Sequence, residues 1–285
     1  IVGIMSVLFM NIYYGYMSRG YSLVLLFFII SFHFALKIVE NANVSRNWVW
    51  FTVFSILGFF SIPSYLYPYL SLNFLILFFN FNKSFILKQL RFSFFTVLLT
   101  IVLYLPTILV SGLNALTGNQ FVAPKSRAVV FSRLPEFFQY TINDITGFNP
   151  AFVLILVGIS LVLLIKNREW FYLKLFSIFL ILPPILLLVH SVIPFGRTFN
   201  YYGFIFVFIF CISFKNYLNK IKIQWLLVII ISLQILFVYN FNNKIYDYEK
   251  YSLLAKEANS KIVEKNKSYL IYSSIFDGYF QLCSA

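Results

Sequence analysis

Long apolar stretches separated by short polar breaks dominate the chain. The stretches lack the alternation of barrel strands, and backbone polar groups inside a bilayer must be satisfied within the segment, so the pattern predicts helices. A span needs about 17 to 25 residues to cross a hydrocarbon core of about 30 Å. We therefore predict an all-α polytopic membrane protein with about eight spans and one partial helix. The partial helix is Ile1–Met10, and the spans are Tyr21–Ile38, Trp48–Ile62, Leu66–Asn80, Phe92–Val110, Ala151–Ile165, Phe171–His190, Phe199–Phe214 and Gln224–Asn240.

Two boundaries of this pattern leave alternatives. The prolines Pro63 and Pro68 allow either two short helices or one broken helix. Because the chain starts at Ile1 inside an apolar run, we expect it to be an internal or C-terminal fragment.

The domain division follows from where the apolar pattern stops. Residues 1–240 form the predicted transmembrane domain, which includes a long outside loop at 111–149. In that loop, Pro135 and Glu136 suit the first turn of a surface helix. Residues 241–285 are soluble in character, with helical spacing followed by a strand-like run at Ser268–Ser273, and predict the start of a small extracytoplasmic α/β tail.

Composition and charge set the class and the orientation. The chain is 61% hydrophobic and 11% charged, with a mean hydropathy of +0.85, which excludes a soluble globular domain. If Arg19 lies outside, eleven Lys and Arg fall in inside loops and only Arg19 and Arg197 in short outside turns. The orientation of the spans then explains most of the net charge of +13, and the same charge gives the protein affinity for anionic membrane lipids. Nucleic-acid binding is not needed to explain it.

Candidate binding residues are cations and tyrosines at the predicted outer ends of helices. Arg19 lies between Tyr16 and Tyr21, and Arg197 follows Pro194 and Gly196 and precedes two tyrosines. A guanidinium at the membrane boundary can grip a phosphate with two hydrogen bonds, or it can reach the phosphates of bulk lipid. The outside loop adds Lys125 and Arg127, which either contact lipid or belong to a lid over a bound head group.

The segment from Tyr16 to Leu23, which contains Arg-Gly-Tyr-Ser-Leu at the start of a membrane helix, resembles the corresponding element of GT-C class membrane glycosyltransferases, especially protein-mannosyltransferase-like bacterial members. The long outside loop, the Arg197 turn and the tail are similar in layout. The resemblance implies sugar transfer from a polyprenyl-phosphate donor to a lipid, glycan or protein acceptor at the outer face of the bacterial cytoplasmic membrane. It also implies that the catalytic carboxylate lies in a first outside loop upstream of Ile1, so no catalytic residue is assigned within the chain.

Under this resemblance, the substrate-binding residues are Arg19, Tyr16, Tyr21, Lys125, Arg127 and Arg197. The sequence indicates no cofactor and no cluster with metal-ligand spacing, and it leaves the use of a divalent metal open. Two alternatives remain: a polymerase or ligase of lipid-linked glycans, and a flippase or transporter of such lipids. The nine acids avoid the predicted spans, which weakens the transporter hypothesis.

Overall fold

A computed structural model describes residues 2–5, 8, 10–11, 20–112 and 124–218, together with 225 and 232. By its contacts the chain divides into two units, Ile1–Ile230 and Ile231–Ala285. The predicted span Gln224–Asn240 and the predicted α/β tail lie almost wholly outside the described residues. Every regular element among the described residues is helical. The helices are α1 (Val2–Met5), α2 (Tyr21–Glu40), α3 (Ser45–Ser61), α4 (Leu66–Phe79), α5 (Lys83–Ser111), α6 (Arg127–Thr146), α7 (Pro150–Lys166), α8 (Trp170–His190), α9 (Tyr201–Ser213) and α10 (Lys215–Leu218), with 3₁₀ turns at Pro63–Tyr65 and Gly196–Phe199.

Consecutive helices from α2 to α5 run in opposite directions, so α3 and α5 are parallel, and side chains connect the ends of these two helices. At one end the Lys88 ammonium donates to the carbonyl of Ala42, at 2.8 Å. At the opposite end the Tyr104 hydroxyl donates to the carbonyl of Phe59, at 2.7 Å. We call the first the cationic end and the second, where the Arg197 turn also lies, the Arg197 end.

Aromatic side chains fill the contact between α2, α8 and α9. The fully buried Phe28 ring lies 5.1 Å from Tyr201 and 5.9 Å from Phe179. Phe32 meets Phe204 edge to face at 5.3 Å. Edge-to-face and tilted pairs of this kind add about 0.5 to 1.5 kcal/mol each beyond area burial. Because the lipid supplies little hydrophobic drive between helices, such close packing decides which faces meet.

Three helices are long and apolar enough to cross a membrane in the part of the chain that the structure describes: α2, α5 and α8. A fourth span is present if α6 and α7, which are bent by 88°, are taken together. The chain is therefore a helical membrane protein by length and composition. The eight predicted spans are not supported at that level of detail, because α3, α4 and α9 have 17, 14 and 13 residues. No strand is present among the described residues to support the α/β tail, whose residues lie outside them.

The connection between α3 and α4 decides the alternative that the two prolines left open. It is a 3₁₀ turn at Pro63–Tyr65 between two separate helices. The Tyr65 ring is fully buried, and its hydroxyl donates to Ser31 Oγ at 3.0 Å. Burial raises the pKa of Tyr65 well above its ordinary value, so the phenol stays a neutral donor.

Two helix starts differ from the prediction. Helix α5 begins at Lys83 rather than near Phe92, because the Asn82 side chain accepts from the Phe85 amide at 2.9 Å and caps it. Helix α6 begins at Arg127, so the prediction of a start at Pro135 was wrong. Ser126 caps α6 by accepting from the Val129 amide, and Pro135 is tolerated inside the helix.

The close contact between α3 and the Tyr65 turn gives a stability test. A Cβ added at Gly58 would lie 2.6 Å from the buried Tyr65 ring, whereas a Cβ at Gly158 in α7 meets nothing within 4 Å. Overpacking costs about 1 to 3 kcal/mol, more than the roughly 1 kcal/mol that alanine gains over glycine in a helix. We expect Gly58→Ala to lower the unfolding temperature in detergent and Gly158→Ala to leave it unchanged or raise it. Equal behaviour of the two variants would contradict this packing.

The two ends also give a topology test. Ser126, at the Arg197 end, and Ser84, at the cationic end, are both exposed. In a background without Cys211 and Cys283, an impermeant maleimide added to intact spheroplasts should label cysteine at Ser126, and at Ser268 in the tail, but not at Ser84. Labelling at Ser84 alone would reverse the orientation.

Candidate functional site

The turn that carries Arg197 is held against α6. Ser191 ends α8 in the left-handed region, with φ of 57°, and its carbonyl accepts from the Lys125 amide at 2.7 Å. Gly196 begins the 3₁₀ turn, where an added Cβ would lie 3.3 Å from Thr141 Cα and 3.6 Å from Asp144 Oδ2. Glycine therefore allows the turn to approach α6 closely, with a carboxylate beside it.

The Arg197 guanidinium lies among aromatic rings from two parts of the chain. Its central carbon is 4.3 Å from the centroid of Phe195 and 5.5 Å from that of Tyr21. Cation–π contacts contribute about 0.5 to 2 kcal/mol, more when the cation is desolvated. Arg197 itself is only partly buried. The start of α2 and the turn before α9 thus form one cationic and aromatic surface.

Buried polar groups follow directly after this turn. Asn200 is 2% exposed, and neither its amide nitrogen nor its amide oxygen has a hydrogen-bond partner among the residues that the structure describes. The hydroxyls of Tyr201 and Thr141 are also buried without a hydrogen-bond partner among the described residues. An unmet buried polar group costs about 1 to 3 kcal/mol. Ordered water or a polar ligand can satisfy groups of this kind.

The neighbouring Tyr202 is fully satisfied. Its hydroxyl donates to the carbonyl of Phe179 at 2.9 Å. That carbonyl has no intrahelical partner, because the residue four positions later is Pro183, which has no N–H. The Tyr202 hydroxyl therefore supplies the hydrogen bond that the Phe179 carbonyl lacks within α8. The same bond holds the start of α9 in place, close in sequence to Arg197.

A second pair borders the turn on the side of α4. The Tyr67 hydroxyl and His190 Nδ1 are 3.0 Å apart, and the Tyr67 ring lies 5.3 Å from Phe199 in the turn. Tyr67 is buried, whereas His190 is exposed at the end of α8. This pair connects the Arg197 turn to the first turn of α4.

The structure brings together some of the residues predicted from the sequence. Tyr21 and Arg197 are in contact. Lys125 is linked to the same region only through its backbone bond to Ser191, and the side chains of Lys125 and Arg127 are exposed. Arg19 and Tyr16 lie outside the described residues.

Sequence reasoning missed three residues next to the turn: Thr141, Asp144 and Asn200. Asn200 follows the turn closely and could have been suspected, since a polar residue at the start of an apolar span is costly. Thr141 and Asp144 come from another helix, and nothing in their spacing indicates this contact. Within the described residues, no group of three His, Cys, Asp or Glu side chains could hold a metal ion.

Comparisons with protein-family models, with curated proteins and with solved structures find no match for this chain.

Adjacent tyrosines with opposite hydrogen bonding give a test of this geometry. Tyr202→Phe removes the donor to the Phe179 carbonyl and should lower the free energy of unfolding by about 1 to 3 kcal/mol. Tyr201→Phe removes a hydroxyl without a partner among the described residues and should leave stability unchanged or raise it. Thermal unfolding of both variants in the same detergent measures the difference. A larger loss in Tyr201→Phe would contradict the assignment.

Proposed function

We propose that the protein transfers a sugar from a polyprenyl-phosphate-linked donor to a lipid, glycan or protein acceptor at the outer face of the bacterial cytoplasmic membrane. The observation that carries the proposal is the contact between Arg197 and Tyr21, which joins two segments noted in the sequence for the same chemistry. The resemblance of the Tyr16–Leu23 segment to GT-C glycosyltransferases supports the reaction class.

The chemistry of the Arg197 end suits such a donor. A guanidinium can neutralise a phosphate diester, and an aromatic ring such as Tyr21 can pack on a sugar or an isoprenoid. The unmet amide of Asn200 and hydroxyl of Thr141 offer donors and acceptors of the kind that sugar hydroxyls require. Arg19, Tyr16, Lys125 and Arg127 complete the proposed binding residues.

The proposal includes the finer topology. The shorter helices α3, α4, α7 and α9 are taken as further crossings, because they connect the same two ends as the longer spans. The Arg197 end then faces outward and the cationic end inward. The catalytic carboxylate is placed in the outside loop that the resemblance puts before Arg19, and the acids of the chain receive no catalytic role.

Substitution of Arg197 tests the phosphate site. A hydrogen bond to a charged group contributes about 1.5 to 3 kcal/mol, so Arg197→Ala should reduce sugar transfer by about ten- to a hundredfold. Arg197→Lys keeps the charge but loses the planar fork and should recover only part of the rate. Arg19→Ala should cause a similar loss. The measurement is the transfer rate of the complete protein with synthetic polyprenyl-phosphate sugars, normalised to monodisperse protein.

Arg91→Ala is the matched control, since Arg91 is an exposed arginine at the cationic end. Its turnover should equal that of the wild type. Unchanged turnover in Arg197→Ala, or full replacement by lysine, would show that Arg197 only contacts bulk lipid. Failure of the wild type to consume any such donor would refute the function itself.

A further inference from the structure

A groove lies between α4 and α8, on the lipid-facing side of the helices. Its volume is about 460 Å³. Phe74 and Phe78 line it from α4, and Trp170, Lys174, Ile181 and Ile185 line it from α8. The two helices meet below it, where the rings of Phe79 and Phe171 are 4.8 Å apart.

The walls of the groove are apolar and exposed. Phe78 is 50% exposed and Ile181 is 57% exposed. In a membrane, such surfaces contact hydrocarbon chains, and a concave apolar surface holds a chain more closely than a flat one. The groove alone would accept any lipid.

A cation lines the groove at the cationic end. Lys174 is exposed one turn into α8, and it forms no ion pair with a carboxylate of the described residues. Trp170 is 53% exposed at the start of the helix, in the manner of an aromatic residue at the membrane boundary. The cationic end therefore places an ammonium at the level of the lipid head groups.

The length of the groove matches one leaflet. From Trp170 to Ile185 the helix rises about 22 Å, at about 1.5 Å per residue. Half of a hydrocarbon core is about 15 Å thick, which leaves several ångströms for the head-group layer. A ligand that fills the groove thus has a head at Lys174 and chains that reach Ile185, near the middle of the bilayer.

We propose that the groove between α4 and α8 is a binding site for one anionic phospholipid. The lipid phosphate pairs with the Lys174 ammonium, and an acyl chain lies along Phe74, Phe78 and Ile181. Positive charge at this end suits the anionic cytoplasmic leaflet. The site is separate from the Arg197 end and does not depend on the proposed reaction.

Tryptophan quenching tests the site with the full chain. The protein is reconstituted in phosphatidylcholine vesicles that contain a minor fraction of dibrominated phosphatidylglycerol or dibrominated phosphatidylcholine. The difference in quenching between wild type and Trp170→Phe isolates the signal of Trp170 from the other three tryptophans. One lysine near the membrane surface should favour the anionic lipid about fivefold.

Two variants test whether the preference for the anionic lipid comes from Lys174 or from general surface charge. Lys174→Gln should reduce the preference to about one, whereas Lys166→Gln, at an exposed lysine on α7 outside the groove, should retain it. If Lys174→Gln does not fold, loss of the preference at high salt together with its retention in Lys166→Gln supports the site, and a preference that persists at high salt contradicts the ion pair. Equal binding of both lipids, an equal effect of Lys166→Gln, or no quenching by either lipid because a second copy covers the groove would overturn the proposal.

Discussion

The fold depends on satisfying backbone carbonyls that proline leaves without a donor. Pro183 removes the helical partner of Phe179, and Tyr202 supplies a hydroxyl. Phe59 is in the same position, because Pro63 follows four residues later, and the hydroxyl of Tyr104 reaches its carbonyl. In a bilayer an unmet carbonyl costs several kcal/mol, so a hydroxyl from another helix stabilises each of these two sites. The two tyrosines therefore connect helices distant in sequence at the Arg197 end.

This constraint also explains why the Arg197 turn has a defined position. Tyr202 lies in the first turn of α9, and its bond to α8 holds the start of α9 in place. Gly196 lets the same turn approach Thr141 on α6. The Tyr202 hydroxyl is satisfied, whereas the hydroxyls of Thr141 and Tyr201 and the amide of Asn200 have no partner in the described part of the chain. A residue held by a hydrogen bond is therefore adjacent in sequence to residues whose polar groups have no partner among the described residues. Unpartnered buried polar groups of this kind are uncommon and need an explanation.

The two ends of the helices differ in electrostatics. At the cationic end Lys88 turns back to the carbonyl of Ala42, and Lys174 stands at the entrance of the groove between α4 and α8. At the Arg197 end the partly buried guanidinium lies against the rings of Phe195 and Tyr21. Cationic side chains therefore have different surroundings at the two ends, which is why we propose a different kind of anionic ligand for each.

The sequence by itself determined the helical membrane class and the bounds of α2 and α8 within about two residues. It also identified Tyr21 and Arg197 as candidate residues of one binding site, and the structure shows these two residues in contact. Long apolar runs decide these features because hydropathy acts locally. The tertiary structure decided the start of α6 at Arg127, the turn at Pro63 and the contact of Thr141, Asp144 and Asn200 with the Arg197 region. Those features depend on helix caps and on packing between helices far apart in the chain. Hydrophobic periodicity does not indicate which helix packs against which.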